Sequence, residues 1–231
     1  MLTICTFNIQ NDYRKYTKDK SLEILKFLKK EKLDVFNLQE VYSKIDKDLK
    51  NNLFNTKYSI NGKYRFLLKR ILNRFNEKNP IITNKKVLST KTYHLPVFPS
   101  ITKRIMTKVE IDLDGEIISI YNTHLDYKYI SVRKRELKRI INIIKNDSNP
   151  IILTGDFNLK TNNIYFKEFI KDMKSIGIKH IDVGEKTLKI SKYHRAIDHI
   201  FISDKFKLKS KRLITNLDIS DHYPIIIRVD I

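Results

Sequence analysis

Short apolar segments rich in β-branched residues recur along the whole chain, and this repetition limits the fold more than any other feature. Segments of this length and composition predict buried strands. They occupy residues 2–7, 33–40, 80–84, 87–95, 104–126, 150–158, 196–203, 208–216 and 223–231. Inside the long segment 104–126, the pair Asp114-Gly115 predicts a tight hairpin turn between two strands.

Three stretches between these segments carry apolar residues three and four positions apart, which predicts helices. They run from Asp19 to Glu31, from Tyr129 to Asn146 and from Tyr165 to Ser175. The first presents Leu22, Leu25 and Leu28 on one face, and the second presents Ile130, Leu137, Ile140, Ile141 and Ile144. Because strands and helices neither alternate regularly nor segregate, we predict an α/β fold with two sheets packed face to face and helices outside. We expect residues 1–231 to form one domain.

The chain of 231 residues has a formal net charge of +20, which favours a polyanionic partner such as nucleic acid, or an anionic membrane surface. Most of the excess is lysine, accompanied by many Ile and Asn residues. An AT-rich genome produces the same composition without selection for function. Both interpretations stay open at this point.

The first residues, MLTICTFNIQ, resemble a strand rather than a signal peptide. The sequence also contains no apolar run of about 18 residues, the length of a membrane-spanning helix. We therefore expect a soluble, cytoplasmic and monomeric protein. The single cysteine, Cys5, excludes an internal disulfide and is predicted to be a buried strand residue rather than a catalytic thiol.

Polar residues that can bind a metal ion or a phosphate group close six of the apolar segments. They are Asn8, Glu40, His124, Asp156 with Asn158, Asp198, and Asp221 with His222. Strand ends from distant parts of a sequence can meet at one rim of a sheet sandwich. Carboxylate and amide oxygens without a cysteine cluster favour a hard cation such as Mg²⁺ or Mn²⁺ over zinc. Each position alone is more typical of a turn or a helix cap, and Gly155 before Asp156 predicts such a tight turn.

Taken in order, the segments TFNI, NLQEV, NTHLD, GDFN, AIDHIF and SDHYP resemble the motifs of the endonuclease/exonuclease/phosphatase superfamily. The resemblance extends from Thr6 to Pro224. It implies a four-layer α/β sandwich of two mixed β-sheets flanked by helices. It also implies a deoxyribonuclease-like phosphodiesterase that uses Mg²⁺ or Mn²⁺ at one rim of the sandwich.

The resemblance further implies a role for each matching position. On the metal side, Glu40 matches the principal ligand, Asn8 lies beside it, and Asp221 is an additional carboxylate that binds the metal or orients water.

Five other positions match residues that act on the substrate. Asp156 would orient or deprotonate the attacking water, and Asn158 would bind the phosphate beside it. His124 would donate to a phosphate oxygen, and Asp198 would hold His222 against the scissile phosphate. A histidine held by a buried aspartate is fixed in orientation and favoured as imidazolium, which suits these roles.

Other polar residues near the motifs are explained without a catalytic role. His199 follows Asp198 on a strand and is expected to face away from it. No motif surrounds His94, His180 or His194, so surface or core positions are predicted for them. Asp126, Arg133 and Arg135 either support the rim or belong to a loop and a solvated helix face.

The substrate is less constrained than the reaction. The segment NTHL departs from the pattern of apurinic-site endonucleases, whereas TFNI, NLQEV and GDFNL resemble tyrosyl-DNA phosphodiesterases. We predict a nuclease or nucleic-acid phosphodiesterase. The alternative is a sphingomyelinase-like phospholipid or inositol-phosphate hydrolase, with the basic amphipathic segment 63–75, KYRFLLKRILNRF, at a membrane surface. A helix that packs on the core and exposes a basic face explains that segment equally well.

Overall fold

The computed structural model describes residues 1–10, 18–63, 77–184, 186–189 and 195–231. In chain order the strands of this part are β1 (Leu2–Asn8), β2 (Val35–Gln39), β3 (Val41–Tyr42), β4 (Ser59–Asn61), β5 (Glu77–Lys78), β6 (Ile81–Thr83), β7 (Lys86–His94), β8 (Ile105–Leu113), β9 (Glu116–His124), β10 (Ile151–Asp156), β11 (Ile178–Ile181), β12 (Asp198–Ser203), β13 (Lys207–Leu213) and β14 (Ile225–Asp230). The helices are α1 (Lys18–Lys30), α2 (Ser43–Leu53), α3 (Ile130–Ile144) and α4 (Ile164–Ser175).

Two six-stranded sheets form the centre of the molecule, in the orders β13-β14-β1-β2-β6-β4 and β11-β12-β10-β9-β8-β7. Each sheet is mixed, since β1 and β2 are parallel, as are β9 and β10, and the other neighbours are antiparallel. A short separate ribbon joins β3 to β5.

Three apolar cores hold four layers together. One core lies between the sheets and includes Ile4 of the first and Ile200 of the second. Another joins α1 and α2 to the first sheet, with the rings of Phe27 and Phe36 5.8 Å apart. The third joins α3 and α4 to the second sheet. This architecture confirms the predicted four-layer α/β sandwich of two mixed β-sheets flanked by helices.

The polar residues that the sequence singles out gather at one rim of the sandwich. Asn8, His124 and Asp156 end β1, β9 and β10. The prediction that each polar residue follows a strand is wrong for three of them, because Asp198 begins β12 while Asp221 and His222 precede β14. Since β12 and β14 run antiparallel to β10 and β1, their first residues lie where those strands end. These residues therefore reach the same rim.

The helices match their predicted positions to within two residues, but their buried faces differ. On α1, Leu22 is exposed while Ile24 and Phe27 are buried, because the stripe that contains an aromatic ring offers more apolar area to the sheet. On α3, Ile130 is partly exposed and Val132 is buried instead.

Helix α2 was not predicted from the sequence. Lys, Asp and Asn dominate it and hide the helical spacing of its few apolar residues.

Buried polar side chains cross between the two sheets beneath the rim. Gln39 Nε2 donates to Asn122 Oδ1 of the other sheet at 2.6 Å and to Thr6 Oγ1 of its own sheet at 3.0 Å. Asn37 Nδ2 donates to Thr154 Oγ1 at 2.8 Å. A buried amide is costly unless it is paired, so these bonds favour one alignment of the sheets and fix the geometry of the rim above them.

Two regions from the sequence analysis are not covered by the structural description. The basic segment 63–75 lies outside the described residues except for Lys63, and His194 lies outside them too. Among the described helices, none has the length and apolar character needed to cross a membrane. Cys5 is fully buried in β1, as predicted.

Candidate active site

Asp156 lies at the centre of the rim residues. Asn8 Nδ2 donates to its Oδ2 at 3.0 Å, and the backbone N–H of Asn158 donates to its Oδ1 at 2.8 Å. Nε2 of His124 and Nε2 of His222 lie 3.6 and 3.8 Å from the same Oδ2. Burial raises the pKa of this carboxyl, but the two histidines and the hydrogen bonds outweigh burial and bring the pKa below its ordinary value. Asp156 is therefore a carboxylate at neutral pH.

His222 is paired with Asp198. Its Nδ1 lies 2.8 Å from Asp198 Oδ2, and both residues are buried. Burial alone would lower the pKa of His222, but the Asp198 carboxylate outweighs burial and raises this pKa to about 10. At neutral pH the imidazolium donates from Nδ1 to Asp198 and directs its Nε2–H towards Asp156.

His124 is held in the same way by Glu77, a residue that the sequence analysis missed. Its Nδ1 lies 2.8 Å from Glu77 Oε1, and Arg104 Nη1 donates to the two oxygens of Glu77 at 3.2 and 3.0 Å. Burial and Arg104 lower the pKa of His124, but Glu77 and Asp156 together outweigh them and raise it. Glu77 lies in a polar stretch without a strand pattern, so no sequence signal marks it. Arg104 is a charged residue at the start of an apolar segment, and this position could have marked it as a candidate site residue.

The two histidines therefore form a matched pair. Each Nδ1 faces a buried carboxylate, and each Nε2 faces Asp156 Oδ2. Two N–H donors of fixed direction thus point into one small space beside a carboxylate. Such an arrangement stabilises negative charge that develops on a bound group, because the donors need no reorganisation.

Glu40 and Asn8 complete the cluster from the side of the first sheet. Asn8 Nδ2 contacts Glu40 Oε1 at 3.2 Å as well as Asp156. Glu40 has a φ of +60°, a conformation that is uncommon for this residue type and recurs at functional sites. Burial raises the pKa of Glu40, and the neighbouring carboxylates of Glu77 and Asp156 add to this effect against the opposing His124.

Two predicted residues reach the cluster through other contacts. Asn158 has a φ of +51° and donates from Nδ2 to the backbone oxygen of Leu125 at 3.1 Å. Asp221 Oδ1 lies 3.9 Å from His222 Nε2. The predicted phosphate-binding role of Asn158 and the metal-side role of Asp221 stay predictions.

The donor set of the cluster fits a hard divalent cation. Among the residues that the structure describes, ligand atoms of Asp156, Asp198 and His222 all lie within 4.8 Å of one another. Glu40 and Asn8 approach Asp156 from the other sheet. With both ring nitrogens protonated, His222 is not itself a ligand. The remaining carboxylate and amide oxygens suit Mg²⁺ or Mn²⁺ better than a thiolate-seeking metal. A bound cation would also offset the repulsion between the neighbouring carboxylates.

Thr187 is a second residue that the sequence analysis missed, and it fixes the start of β12. It is fully buried, and its Oγ1 accepts hydrogen bonds from the backbone N–H groups of Ile197 at 3.1 Å and Asp198 at 3.2 Å. The backbone of Thr187 also accepts from Tyr223 N at 2.8 Å. One threonine therefore ties the Asp198 segment to the segment that carries His222.

We expect Thr187→Val to lower the free energy of unfolding by about 2 kcal/mol, because it leaves two buried N–H groups without their acceptor. Thr187→Ser keeps the hydroxyl and should lose less than half as much. Urea unfolding of both variants measures the difference. Equal stability of the valine and serine variants would contradict this account of the hydroxyl.

His199 lies on the opposite face of β12 from Asp198, as predicted, and pairs with His180. Its Nε2 donates to the backbone oxygen of Leu159 at 2.8 Å, so its Nδ1 accepts from His180 Nε2 at 3.1 Å. Phe166 packs on the His199 ring with centroids 4.2 Å apart. Burial lowers the pKa of both histidines, to about 3 for His199 and about 4 for His180.

The low pKa values of His180 and His199 predict that the folded protein becomes less stable in acid. Below a pH of about 6.5 the unfolded chain binds protons on both histidines while the folded chain does not, so the free energy of unfolding falls by up to about 1.4 kcal/mol per histidine per pH unit. The loss continues until the pH reaches the folded-state pKa values of about 4 for His180 and about 3 for His199, below which both states bind the proton. His180→Phe should make the pH dependence shallower, whereas His94→Asn on exposed β7 should not. Denaturant unfolding at several pH values tests this, and equal slopes in all three proteins would refute it.

Comparison with known proteins gives a family and a shared fold. A model described as "Endonuclease/Exonuclease/phosphatase family" matches residues 5–222. No curated protein sequence matches the chain.

Three solved structures have the same fold as this chain, and at these identities they show the fold alone. An endonuclease/exonuclease/phosphatase from Bacteroides vulgatus has 23% identity and a TM-score of 0.85, over 100% of this chain and 98% of that one. A mannosyl-6-phosphatase from Bacteroides thetaiotaomicron VPI-5482 has 19% identity and a TM-score of 0.84, over 100% of both chains. D. rerio TDP2 complexed with single strand DNA product has 18% identity and a TM-score of 0.76, over 100% of this chain and 99% of that one.

Proposed function

We propose that this phosphoesterase, which belongs to the endonuclease/exonuclease/phosphatase family, is a divalent-metal-dependent phosphodiesterase that hydrolyses nucleic acid. The observation that carries the proposal is the convergence of two carboxylate-held histidines on Asp156 Oδ2. Phosphodiester hydrolysis needs an oriented water, donors for the phosphoryl oxygens and neutralisation of charge. The rim residues divide these tasks.

The roles follow from the protonation states. Asp156 is a carboxylate, so it orients the attacking water and accepts its proton. His124 and His222 are favoured as imidazolium, so their Nε2–H groups donate to the phosphoryl oxygens on which charge develops. Glu77 and Asp198 do not touch the substrate in this scheme. They fix the ring orientation and keep the proton on each histidine.

Glu40 and Asn8 would hold Mg²⁺ or Mn²⁺, with Asp221 as the further carboxylate proposed from the sequence. When bound, such a cation neutralises charge on the phosphate and polarises the phosphoryl group. The raised pKa of Glu40 among neighbouring carboxylates supports a cation here, because a positive charge relieves the repulsion between them.

Nucleic acid is the proposed substrate for two reasons. The net charge of +20 favours a polyanion. The TDP2 structure that shares the fold carries a single-strand DNA product. The mannosyl-6-phosphatase with the same fold makes a sugar monoester the first alternative to exclude.

A screen of metals and substrates tests the proposal. Purified protein is assayed with Mg²⁺, Mn²⁺ or EDTA against plasmid DNA, single strands, RNA, a phosphotyrosyl oligonucleotide, sphingomyelin, inositol phosphates and mannose 6-phosphate. We expect metal-dependent cleavage of nucleic acid that Asp156→Asn reduces by about 10²- to 10⁴-fold. Asp172→Asn, at an exposed position of α4, serves as the matched control. Hydrolysis confined to lipid, inositol or sugar phosphates would refute the nuclease assignment.

The proposed ligand Glu40 gives a separate prediction. Glu40→Ala should raise the Mg²⁺ concentration for half-maximal rate by at least about tenfold, because a metal site loses affinity when its surroundings lose a ligating or orienting group. Initial rates over a Mg²⁺ titration measure the shift. Glu168→Ala, at an exposed position of α4, is the control. An unchanged Mg²⁺ requirement would remove Glu40 from the metal site.

A further inference from the structure

Three large apolar side chains extend into solvent beside the candidate active site. Phe98 is 78% exposed, Ile101 94% and Tyr127 64%. Phe98 and Ile101 belong to the loop between β7 and β8, and Tyr127 follows β9. Single exposed apolar residues are common, but a group of them next to a site marks a contact surface.

Hydrogen bonds hold the two segments together. Ser100 Oγ donates to Asp126 Oδ2 at 2.5 Å and accepts from Thr102 N at 3.1 Å. Arg135 donates to the backbone oxygen of Phe98, and Arg133 donates to that of Asp126 at 2.7 Å. Asp126, Arg133 and Arg135 thus connect these segments, and their support of the rim stays a prediction. The exposed side chains therefore project from a fixed backbone, which reduces the entropy lost when a ligand binds.

The same segments begin at the active site. Leu95 N donates to Arg104 O at 3.0 Å and closes the base of the loop, and Arg104 contacts His124. Ile101 precedes Arg104 by three residues, and Tyr127 follows His124 by three. Three residues span at most about 10 Å of chain, so Ile101 and Tyr127 lie within reach of a polymer bound at the histidines. Arg135 holds the backbone of Phe98 in the same loop.

The charge of the two segments selects an anion. Residues 95–103 and 127–135 together contain Lys or Arg at five positions and neither Asp nor Glu. Arg104 is buried against Glu77, and the adjoining Asp126 and Glu136 are buried as well. Aromatic rings among cations bind single-stranded nucleic acid, because unpaired bases stack on the rings while the phosphates meet the charges. A duplex hides the base faces from such rings. Two rings among three exposed apolar side chains favour the single strand.

We propose that Phe98, Ile101 and Tyr127, with the surrounding lysines and arginines, form a binding surface for single-stranded nucleic acid next to the catalytic histidines. This surface rests on the proposed phosphodiesterase function and deepens it, since it makes an unpaired strand the preferred substrate. The strand stacks its bases on Phe98 and Tyr127 and thereby places a neighbouring phosphate towards His124.

Fluorescence anisotropy with a labelled oligodeoxythymidine of about 16 nucleotides tests the surface, with a duplex of equal length and phosphatidylserine vesicles as comparisons. EDTA is present, so that binding is measured without cleavage. We expect the strand to bind more tightly than the duplex, and Phe98→Ala and Tyr127→Ala each to weaken strand binding about tenfold. Phe54→Ala is the matched control, because Phe54 is also 78% exposed but lies at the end of α2. Thermal melting verifies that each variant is folded.

Two outcomes overturn the inference. One is strand binding by the ring variants equal to that of Phe54→Ala. The other is a loss confined to vesicle binding, which would identify a membrane surface. Ring-dependent strand binding together with no hydrolysis in the metal screen would refute the phosphodiesterase proposal and leave this surface standing, so the two failures are distinguishable.

Discussion

Replacing Asp198 by Asn is expected to lower turnover by about 10³- to 10⁴-fold while the protein stays folded, the size of loss seen when an aspartate that holds a catalytic histidine is neutralised. Asn retains an oxygen that accepts from His222 Nδ1, so the packing of the pair is preserved. The negative charge is lost, and this charge is what keeps His222 protonated in spite of its burial. The variant should therefore fail in chemistry rather than in folding.

The pH dependence separates this electrostatic role from a structural one. In the parent, His222 stays imidazolium up to its pKa of about 10, so loss of the His222 proton should lower activity only in that alkaline range. The stabilisation from the Asp198–His222 pair is complete below a pH of about 6.5 and is lost as the pH rises through about 10. In Asp198→Asn the alkaline limb of activity should move towards neutral pH.

Turnover of Asp198→Asn and of the exposed control Asp172→Asn, measured from neutral to alkaline pH, tests both parts. Urea unfolding of each variant shows whether the fold is intact. Turnover close to that of the parent, with an unshifted alkaline limb, would exclude the Asp198–His222 pair from the mechanism.

The fold was predictable from sequence because its signals are local. Alternating turns and apolar segments indicate strands, and the Asp114-Gly115 hairpin has the positive φ values that such a turn requires. The candidate site was predictable for a different reason, since its residues close apolar segments and match ordered motifs. In contrast, Glu77 gives no local signal. Its importance arises from contact with His124, 47 residues away in the chain, and with Arg104.

Competing local signals account for the faces that were predicted wrongly. On α1 the predicted Leu25 and Leu28 are buried and Leu22 is not, because packing on the sheet also buries Ile24 and Phe27, which have helical spacing too. Thr187 was missed because a threonine hydroxyl is ordinary in a polar loop. Only the fold brings it to the backbone of Asp198. Sequence patterns thus locate the groups that do chemistry more readily than the groups that hold them in place.

Gly155 is where the structure changes the interpretation most. The sequence analysis predicted that it permits a tight turn before Asp156. It lies instead inside β10, paired with Thr123 of the parallel strand β9. A Cβ atom at this position would lie 2.1 Å from the backbone oxygen of Thr123, and the φ is +154°. The glycine is required because the two strands approach closely just before Asp156 and His124.

Gly155→Ala is therefore expected to lower the free energy of unfolding by about 4 kcal/mol or more, since backbone rather than a flexible side chain must move. The forced separation of β9 and β10 should also displace Asp156 from His124 and abolish turnover. Gly115→Ala is the matched control, because Gly115 has a φ of +94° and nothing within 4 Å of the added carbon. That variant carries only the cost of the backbone conformation, about 1 to 3 kcal/mol. Urea unfolding and turnover of both variants decide the matter. Equal losses in the two would mean that the close approach of the strands does not set the position of the catalytic carboxylate.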